Sequence, residues 1–228
     1  MSSKSQTAWF TSDILEFLSD LGQNNNPKWF AANKPRYESS VWEPMKALAA
    51  ELIPRMAEID PEVSRDPIEA LFRLNRDTRN SYDKSPYKTH AGILISRRGE
   101  TRAAHPGLYV QISAQSFGIA SGFHALSPNE CMTVRRHIAA HPTEFLAELN
   151  NKSFRQHFLS LRGEPGKILP PELSEAAQRQ PLIFNKQFYY WAEHLPDRIL
   201  SGDLPEFIMD HMKACRGMND FLGRAFLK

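Results

Sequence analysis

Basic side chains recur at short spacing in one segment of this 228-residue chain, between Leu71 and His90. Three arginines stand three residues apart, and two lysines follow them in the same segment. Guanidinium groups bind phosphate and carboxylate oxygens through paired hydrogen bonds, and ammonium groups add point charges. This basic segment, residues 71–90, therefore predicts a binding site for a small anionic or phosphorylated ligand. The residues assigned to the site are Arg73, Arg76, Arg79, Asp83, Lys84, Tyr87 and Lys88.

Positive charge is concentrated in this part of the chain. Residues 65–102 carry nine lysines and arginines against five acidic residues, a net charge of +4, whereas the whole chain has a formal net charge of +2. The remainder is therefore net −2, and the segment is a local positive field on a nearly neutral protein. This balance argues against a general nucleic-acid coat protein.

Two other interpretations of the basic segment stay open. In the first, ion pairs of Arg76 with Asp83, and of Arg79 with Asp77 or a distant carboxylate, fasten a long loop to a sheet. In the second, the chain is a non-enzymatic interaction module whose basic loop docks onto an acidic protein or nucleic acid. Whether the chain is an enzyme is also open, because arginine-rich clefts serve both recognition and transition-state stabilisation.

Other chemistry is less well supported by the residues. Tyr87 is a candidate hydroxyl donor beside an anion, although a tyrosine just after a proline at the end of a loop more often packs. His137 and His141 stand four apart on a predicted helix, which is the spacing of zinc ligands, but no general base lies between them. Neither a Walker motif nor a Gly-x-Gly-x-x-Gly motif is present. We predict no metal site and no cofactor.

Hydrophobic spacing predicts the helices that must support this segment. Apolar residues at i, i+3, i+4 and i+7 predict a first helix over residues 12–22. A second helix begins at Asn26, a polar cap followed by a proline, and Pro35 and Pro44 are expected to kink or divide it. Further helices are predicted from Pro128 with a break near Pro142, over 173–180, and from Leu204 to near the C-terminus.

Alternating and apolar runs predict the strands. They are a short strand at 72–75 that leads into the basic loop, and strands at 91–96, 108–115, 117–124 and 184–195. The connection at Gln115–Ser116 is so short that its two strands must run antiparallel. The chain is therefore assigned to the α+β class, with a central mainly antiparallel sheet flanked by N-terminal and C-terminal helices.

The chain has no repeat and no long linker, so we expect one domain over residues 1–228, with residues 1–10 as a flexible N-terminal tail. Its apolar runs are too short for a membrane span, and the first residues lack the apolar core of a signal peptide. We therefore expect a cytoplasmic protein that does not bind membranes.

The basic segment also resembles a known family. The stretch Arg76–Arg79, with Ser81 and Asp83–Thr89 after it, resembles the signature of the family called domain of unknown function 2461. Asn75 and Asn80 stand where that family more often has aromatic residues. The family has no established activity, so the resemblance implies an architecture and a shared site but no mechanism. The resemblance extends to Asn24–Asn26, Trp29, Phe30, Tyr37 and Arg136, and to the order of elements along nearly the whole chain.

Overall fold

A computed structural model describes residues 8–79, 82–98 and 105–227 of the chain. These residues divide into two compact units. The first comprises the described residues up to Ile95, with Tyr109–Ile119 and Glu193–Met209, and the second comprises the described residues of Ser96–Leu108, Ala120–Ala192 and Asp210–Lys228. The predicted single domain stays a prediction. Most of the predicted tail lies outside the described residues, and Phe10 at its end is buried.

The N-terminal part of the chain is helical. In the first helix, the predicted apolar stripe is buried. The second predicted helix is divided, as expected, at both prolines: Pro35 and Pro44 each stand at the second position of a new helix. The elements are α1 (Asp13–Gln23), α2 (Pro27–Ala32), α3 (Lys34–Tyr37), a π-helical turn (Glu38–Trp42), α4 (Glu43–Ile59) and α5 (Pro67–Ala70).

Four strands form one antiparallel sheet in the order β1-β2-β3-β4. They are β1 (His90–Ile95), β2 (Leu108–Ser113), β3 (Phe117–Phe123) and β4 (Phe188–His194). The tight β2–β3 hairpin is confirmed, and the Ser113 amide donates to the Ser116 carbonyl (2.9 Å) within it. The α+β class predicted from the sequence is confirmed.

The remaining helices follow the hairpin and flank β4 in the sequence. Ser127 and Glu130 form a capping box at the start of the first of them, because each side chain accepts a hydrogen bond from the other residue's amide. They are α6 (Pro128–Ala140), α7 (Pro142–Leu149), α8 (Lys152–Phe158), α9 (Ser174–Arg179), α10 (Leu204–Ala214) and α11 (Arg216–Arg224), with 3₁₀ turns at Pro171–Leu173, Pro181–Phe184 and Pro196–Leu200.

The prediction of a regular strand at 72–75 is wrong. In its place, two isolated bridges pair Leu71 with Ile93 and Asn75 with Tyr87. The chain changes its pairing partner between these two positions, so it never forms consecutive rungs with one strand. Leu71 therefore covers part of the outer edge of β1. At the other outer strand, β4, Arg162 forms a similar isolated bridge with Tyr189.

The observed helices differ from the predicted ones in two further places. The predicted final helix is interrupted at Cys215, which separates α10 from α11. Helix α8 was not predicted, although its N-terminal signal is present in the sequence. Asn151 caps it by accepting hydrogen bonds from the Ser153 and Phe154 amides (2.9 and 3.2 Å). Within the three described ranges, no helix combines the length and apolar character that a membrane span requires.

Arg36 fastens α1 to the segment that follows α2. Its Nε and Nη1 donate to Asp13 Oδ1 (2.8 Å) and Asp20 Oδ2 (2.7 Å), and Ser40 donates to the other oxygen of Asp13. The hydrogen bonds from Arg36, and next from Ser40, lower the pKa of Asp13 below its ordinary value of 3.8. The ion pair is therefore formed at neutral pH.

We expect Arg36→Met to reduce the free energy of unfolding by about 1 kcal/mol at neutral pH, since the pair is partly screened by solvent. A carboxylate with a lowered pKa stabilises the fold above its unfolded-state pKa, and this contribution is lost as the pH falls through the folded-state pKa. The difference from wild type should therefore shrink in urea titrations below about pH 4. Arg179→Met is the control, because its exposed pair with Glu175 should contribute almost nothing. A pH-independent loss would show that Arg36 acts through packing alone.

Candidate anion-binding site

The two arms of the basic segment are joined by backbone hydrogen bonds. The Arg76 amide donates to the Pro86 carbonyl (2.9 Å), and the Lys88 amide donates to the Leu74 carbonyl (2.8 Å). Just before this pairing, the Phe72 amide donates to Gly92 of β1 (3.0 Å). The backbone that carries Arg73, Arg76 and Lys88 is therefore attached to the sheet. We call these three residues the loop base.

Asn25 holds the second arm through the backbone of Tyr87. Its Nδ2 donates to the Tyr87 carbonyl (2.9 Å), and its Oδ1 accepts from the Tyr87 amide (3.1 Å). The Tyr87 ring stacks on Phe30 with centroids 4.3 Å apart, and only 8% of the residue is exposed. Tyr87 therefore has the packing role that its position after a proline favours. It anchors the loop base to the N-terminal helices of the same unit.

Both ion pairs that the structural interpretation predicts are present. Arg76 Nη1 pairs with Asp83, and Arg79 pairs with Asp77 (2.6 Å). Asp83 also accepts hydrogen bonds from the Ser85 hydroxyl and amide (2.5 and 2.9 Å). These bonds, and next the charge of Arg76, lower the pKa of Asp83. The side chain of Arg79 is 86% exposed, so its pair contributes little to stability.

Three cations of the segment have no carboxylate partner among the described residues. Lys88 Nζ donates to the Arg73 carbonyl (3.1 Å) and lies 5.2 Å from the centre of the Phe72 ring. Lys84 Nζ donates to the Thr78 carbonyl (2.8 Å). Arg73 is an exposed residue, and its guanidinium has no hydrogen-bond partner within the described residues. The segment therefore keeps a surplus of positive charge after its internal pairs have formed.

Arg76 has one further unsatisfied donor. Its Nε is buried and has no hydrogen-bond acceptor among the described residues. Buried polar groups in folded proteins are usually hydrogen-bonded, so such a donor calls for an explanation. The pair with Asp83 fixes the guanidinium but leaves this N–H without an acceptor.

His90 is close enough to the loop base for the charges of Lys88 and Arg76 to affect its pKa. It begins β1 and is half-buried. Burial, followed by the positive charges of Lys88 and Arg76, lowers the pKa of His90 below its ordinary value of 6.5. The imidazole is therefore mainly neutral at neutral pH. Its environment places two cations of the loop base close to the start of β1.

An aromatic surface adjoins these cations. The alternate residues Tyr109 and Gln111 of β2 lie on the less buried face of the strand, and the Tyr109 hydroxyl donates to Gln111 Oε1 (3.0 Å). Phe72 packs edge-on against Tyr109 with ring centroids 5.8 Å apart, and 41% of Phe72 remains exposed. A Cβ at Gly92 would lie 3.2 Å from the Phe72 ring and 3.3 Å from the Tyr109 ring, so this glycine allows the close contact.

The predicted site residues thus fall into two groups with different surroundings. The loop base is attached to the sheet, with Tyr87 packed behind it. The loop tip, which we define as Arg79, Tyr82 and Lys84, is exposed. Asp83 connects the two groups because it pairs with Arg76.

Sequence reasoning missed Asn25, Phe72 and Tyr109 as parts of this site. Asn25 lies 62 residues from its partner Tyr87, so no local pattern indicates the contact. The alternation of β2 correctly predicted the orientation of Tyr109, but its contact with Phe72 depends on the pairing register. Among the described residues, no group of three His, Cys, Asp or Glu side chains is arranged to hold a metal ion.

The sequence matches the model of a known protein family. The model of a family described as a conserved hypothetical protein, DUF2461, matches residues 13–221. The matched range includes the whole basic segment and nearly all of the elements described above. No curated protein matches the sequence.

Proposed function

The chain belongs to the conserved hypothetical family DUF2461, and we propose that it binds a small anionic ligand at the loop base, through Arg73, Arg76 and Lys88. Membership of this family brings no activity with it. The proposal therefore depends on the charges and hydrogen bonds of the site.

The observation that carries the proposal is the uncompensated charge of the loop base, because Arg73 and Lys88 have no carboxylate partner among the described residues. A bound oxyanion would balance these two charges through charge-assisted hydrogen bonds. Lys88 Nζ donates a hydrogen bond to the Arg73 carbonyl, so the two residues are neighbours in the fold. This contact supports the binding of one ligand by both residues.

The surrounding contacts support a preorganised site. Asp83 orients the guanidinium of Arg76, and Asn25 and Phe30 hold Tyr87 in place next to Lys88. Groups that are held in place before binding lose less conformational entropy when the ligand arrives. The ion pairs of the structural interpretation are thus compatible with binding, because they leave Arg73 and Lys88 without a carboxylate partner among the described residues.

A second candidate function is favoured by the loop tip. Tyr82 is fully exposed, and the side chain of Arg79, three residues earlier in the sequence, is 86% exposed. Exposed aromatic and basic side chains together suit the docking of an acidic protein or a single-stranded nucleic acid. Such binding would weaken steeply with salt and would depend on the tip rather than the base.

The proposal is tested by the melting temperature of the full chain with inorganic phosphate, sulfate or citrate at constant ionic strength. We expect at least one anion to raise the melting temperature of the wild type, because a ligand that binds only the folded state stabilises it. Arg73→Met and Lys88→Met should abolish most of this shift. Arg79→Met, with its exposed pair, should keep it.

Equal shifts in the wild type and the two base variants would overturn the proposal, as would no shift with any anion. If an acidic peptide or single-stranded oligonucleotide binds instead, and Arg79→Met or Tyr82→Ala weakens that binding, the second candidate function would replace the first.

A further inference from the structure

We infer that the ligand presents a terminal phosphate monoester, a dianion, to the loop base. This inference rests on the proposed function and adds the chemical class of the ligand. It follows from the number of uncompensated charges and from the arrangement of hydrogen-bond donors.

Charge balance favours a dianion over a monoanion. The positive charge of Arg76 is balanced by Asp83, and that of Arg79 by Asp77. At the loop base this leaves two full positive charges, on Arg73 and Lys88, without carboxylate partners among the described residues. A carboxylate or a phosphate diester carries a single negative charge and would leave one cation uncompensated. A phosphate monoester carries a charge of about −1.5 to −2 at neutral pH.

The donors of the loop base also suit three terminal oxygens. Arg73 offers the planar fork of a guanidinium, which binds phosphate through paired hydrogen bonds. Lys88 Nζ has three N–H groups, of which one is directed to the Arg73 carbonyl. The guanidinium and the ammonium together can donate to all three oxygens of a terminal phosphate, whereas a carboxylate has only two oxygens.

The state of His90 is compatible with an anion at this position. Burial, followed by the positive charges of Lys88 and Arg76, lowers the pKa of His90, so the imidazole beside the loop base is mainly neutral at neutral pH. A neutral imidazole does not compete with the loop base for the anion. The neutral Tyr109 and Gln111 on the adjoining strand likewise add no negative charge that would repel a dianion.

The inference is tested by isothermal titration of the full chain with methyl phosphate, dimethyl phosphate and malonate. The titrations are made at about pH 7.5, above the second pKa of a phosphate monoester, which is near 6. We expect methyl phosphate to bind at least about tenfold more tightly than dimethyl phosphate, because it carries the second charge. Malonate carries two charges on two planar groups and should bind more weakly than methyl phosphate.

Single substitutions show which side chains cause the preference for methyl phosphate over dimethyl phosphate. Arg73→Met and Lys88→Met should each bring the affinities for methyl and dimethyl phosphate close together, while Lys213→Met should leave the ratio unchanged. Lys213 is the matched control, because it has the same charge but lies in α10, outside the basic segment, in an exposed pair with Asp210. Urea titrations of the variants show whether each remains folded, and the ratio of two affinities in one variant does not depend on its stability.

Each outcome separates the inference from the proposed function. Equal affinities for methyl and dimethyl phosphate would overturn the dianion and leave anion binding in place. Malonate binding as tightly as methyl phosphate would overturn the phosphate assignment. If none of the three compounds binds, and inorganic phosphate, sulfate and citrate fail as well, both the inference and the proposed function are wrong.

Discussion

Gly122→Ala is expected to reduce the free energy of unfolding by about 4 kcal/mol, a large part of the roughly 5–15 kcal/mol that stabilises a typical protein. Gly122 lies in β3 with φ +98°, a backbone conformation that residues with a Cβ rarely adopt. A Cβ there would also lie 2.4 Å from the Phe188 carbonyl oxygen and 2.6 Å from Tyr189 Cα. Both atoms belong to the backbone of the neighbouring strand, so no side chain can move aside to relieve the clash.

Gly22→Ala is the matched control for this substitution. Gly22 lies in α1, and its added Cβ would meet only the Thr89 methyl group at 3.7 Å, an ordinary contact. Alanine favours a helix over glycine by about 1 kcal/mol, so this variant should be as stable as wild type or slightly more so. Urea unfolding of both variants, followed by circular dichroism, measures the difference. A Gly122→Ala protein as stable as Gly22→Ala would contradict the backbone geometry of β3.

Asn219→Leu is expected to reduce the free energy of unfolding by about 3 kcal/mol. Asn219 is 1% exposed, and its Oδ1 accepts hydrogen bonds from the Tyr190 hydroxyl and from Ser121 Oγ (3.1 Å). Leucine has a similar volume but no acceptor, so the buried hydroxyls of Tyr190 and Ser121 would both lose the hydrogen bond to this side chain. Burial, and next the adjacent Cys215 thiol, raise the pKa of Tyr190 well above its ordinary value. The Tyr190 phenol therefore stays protonated, and its O–H group needs a hydrogen-bond acceptor.

Tyr190→Phe shows whether this cost comes from the hydrogen bonds. It removes one donor but leaves Asn219 Oδ1 with Ser121, so a smaller loss of about 1–2 kcal/mol is expected. In the double variant, Tyr190→Phe with Asn219→Leu, both partners are apolar and the loss should be smaller than the sum of the two single losses. Additive losses in chemical unfolding would show that the two side chains contribute independently.

Local patterns explain which parts of the fold were predictable. The stripe of Ile14, Phe17, Leu18 and Leu21 is buried as its spacing indicates, because helix periodicity depends only on neighbouring turns. Interruptions that depend on packing were missed, such as the break at Cys215. The segment at 72–75 has the alternation of a strand, but its pairing partners are set by two different parts of the chain.

The candidate site shows the same limit. Residues close in sequence, such as Arg76 and Asp83, were correctly considered as an ion pair. Which cations remain without a carboxylate depends on the folded backbone, so Arg73 and Lys88 could not be distinguished from Arg79 by sequence. The Asn25 clamp joins residues 62 positions apart and is visible only in the structure. The function of the loop base stays a prediction.

The isolated bridges at the two outer strands bear on how the protein avoids self-association. A bare strand edge presents free amides and carbonyls, and it can pair with a second molecule to start aggregates or fibrils. Leu71 occupies part of this edge on β1, and Arg162 occupies part of it on β4. Because the residue that shields β1 leads directly into the loop base, detaching that base would also uncover an aggregation-prone edge. A ligand that holds the loop base in place would therefore act against aggregation as well.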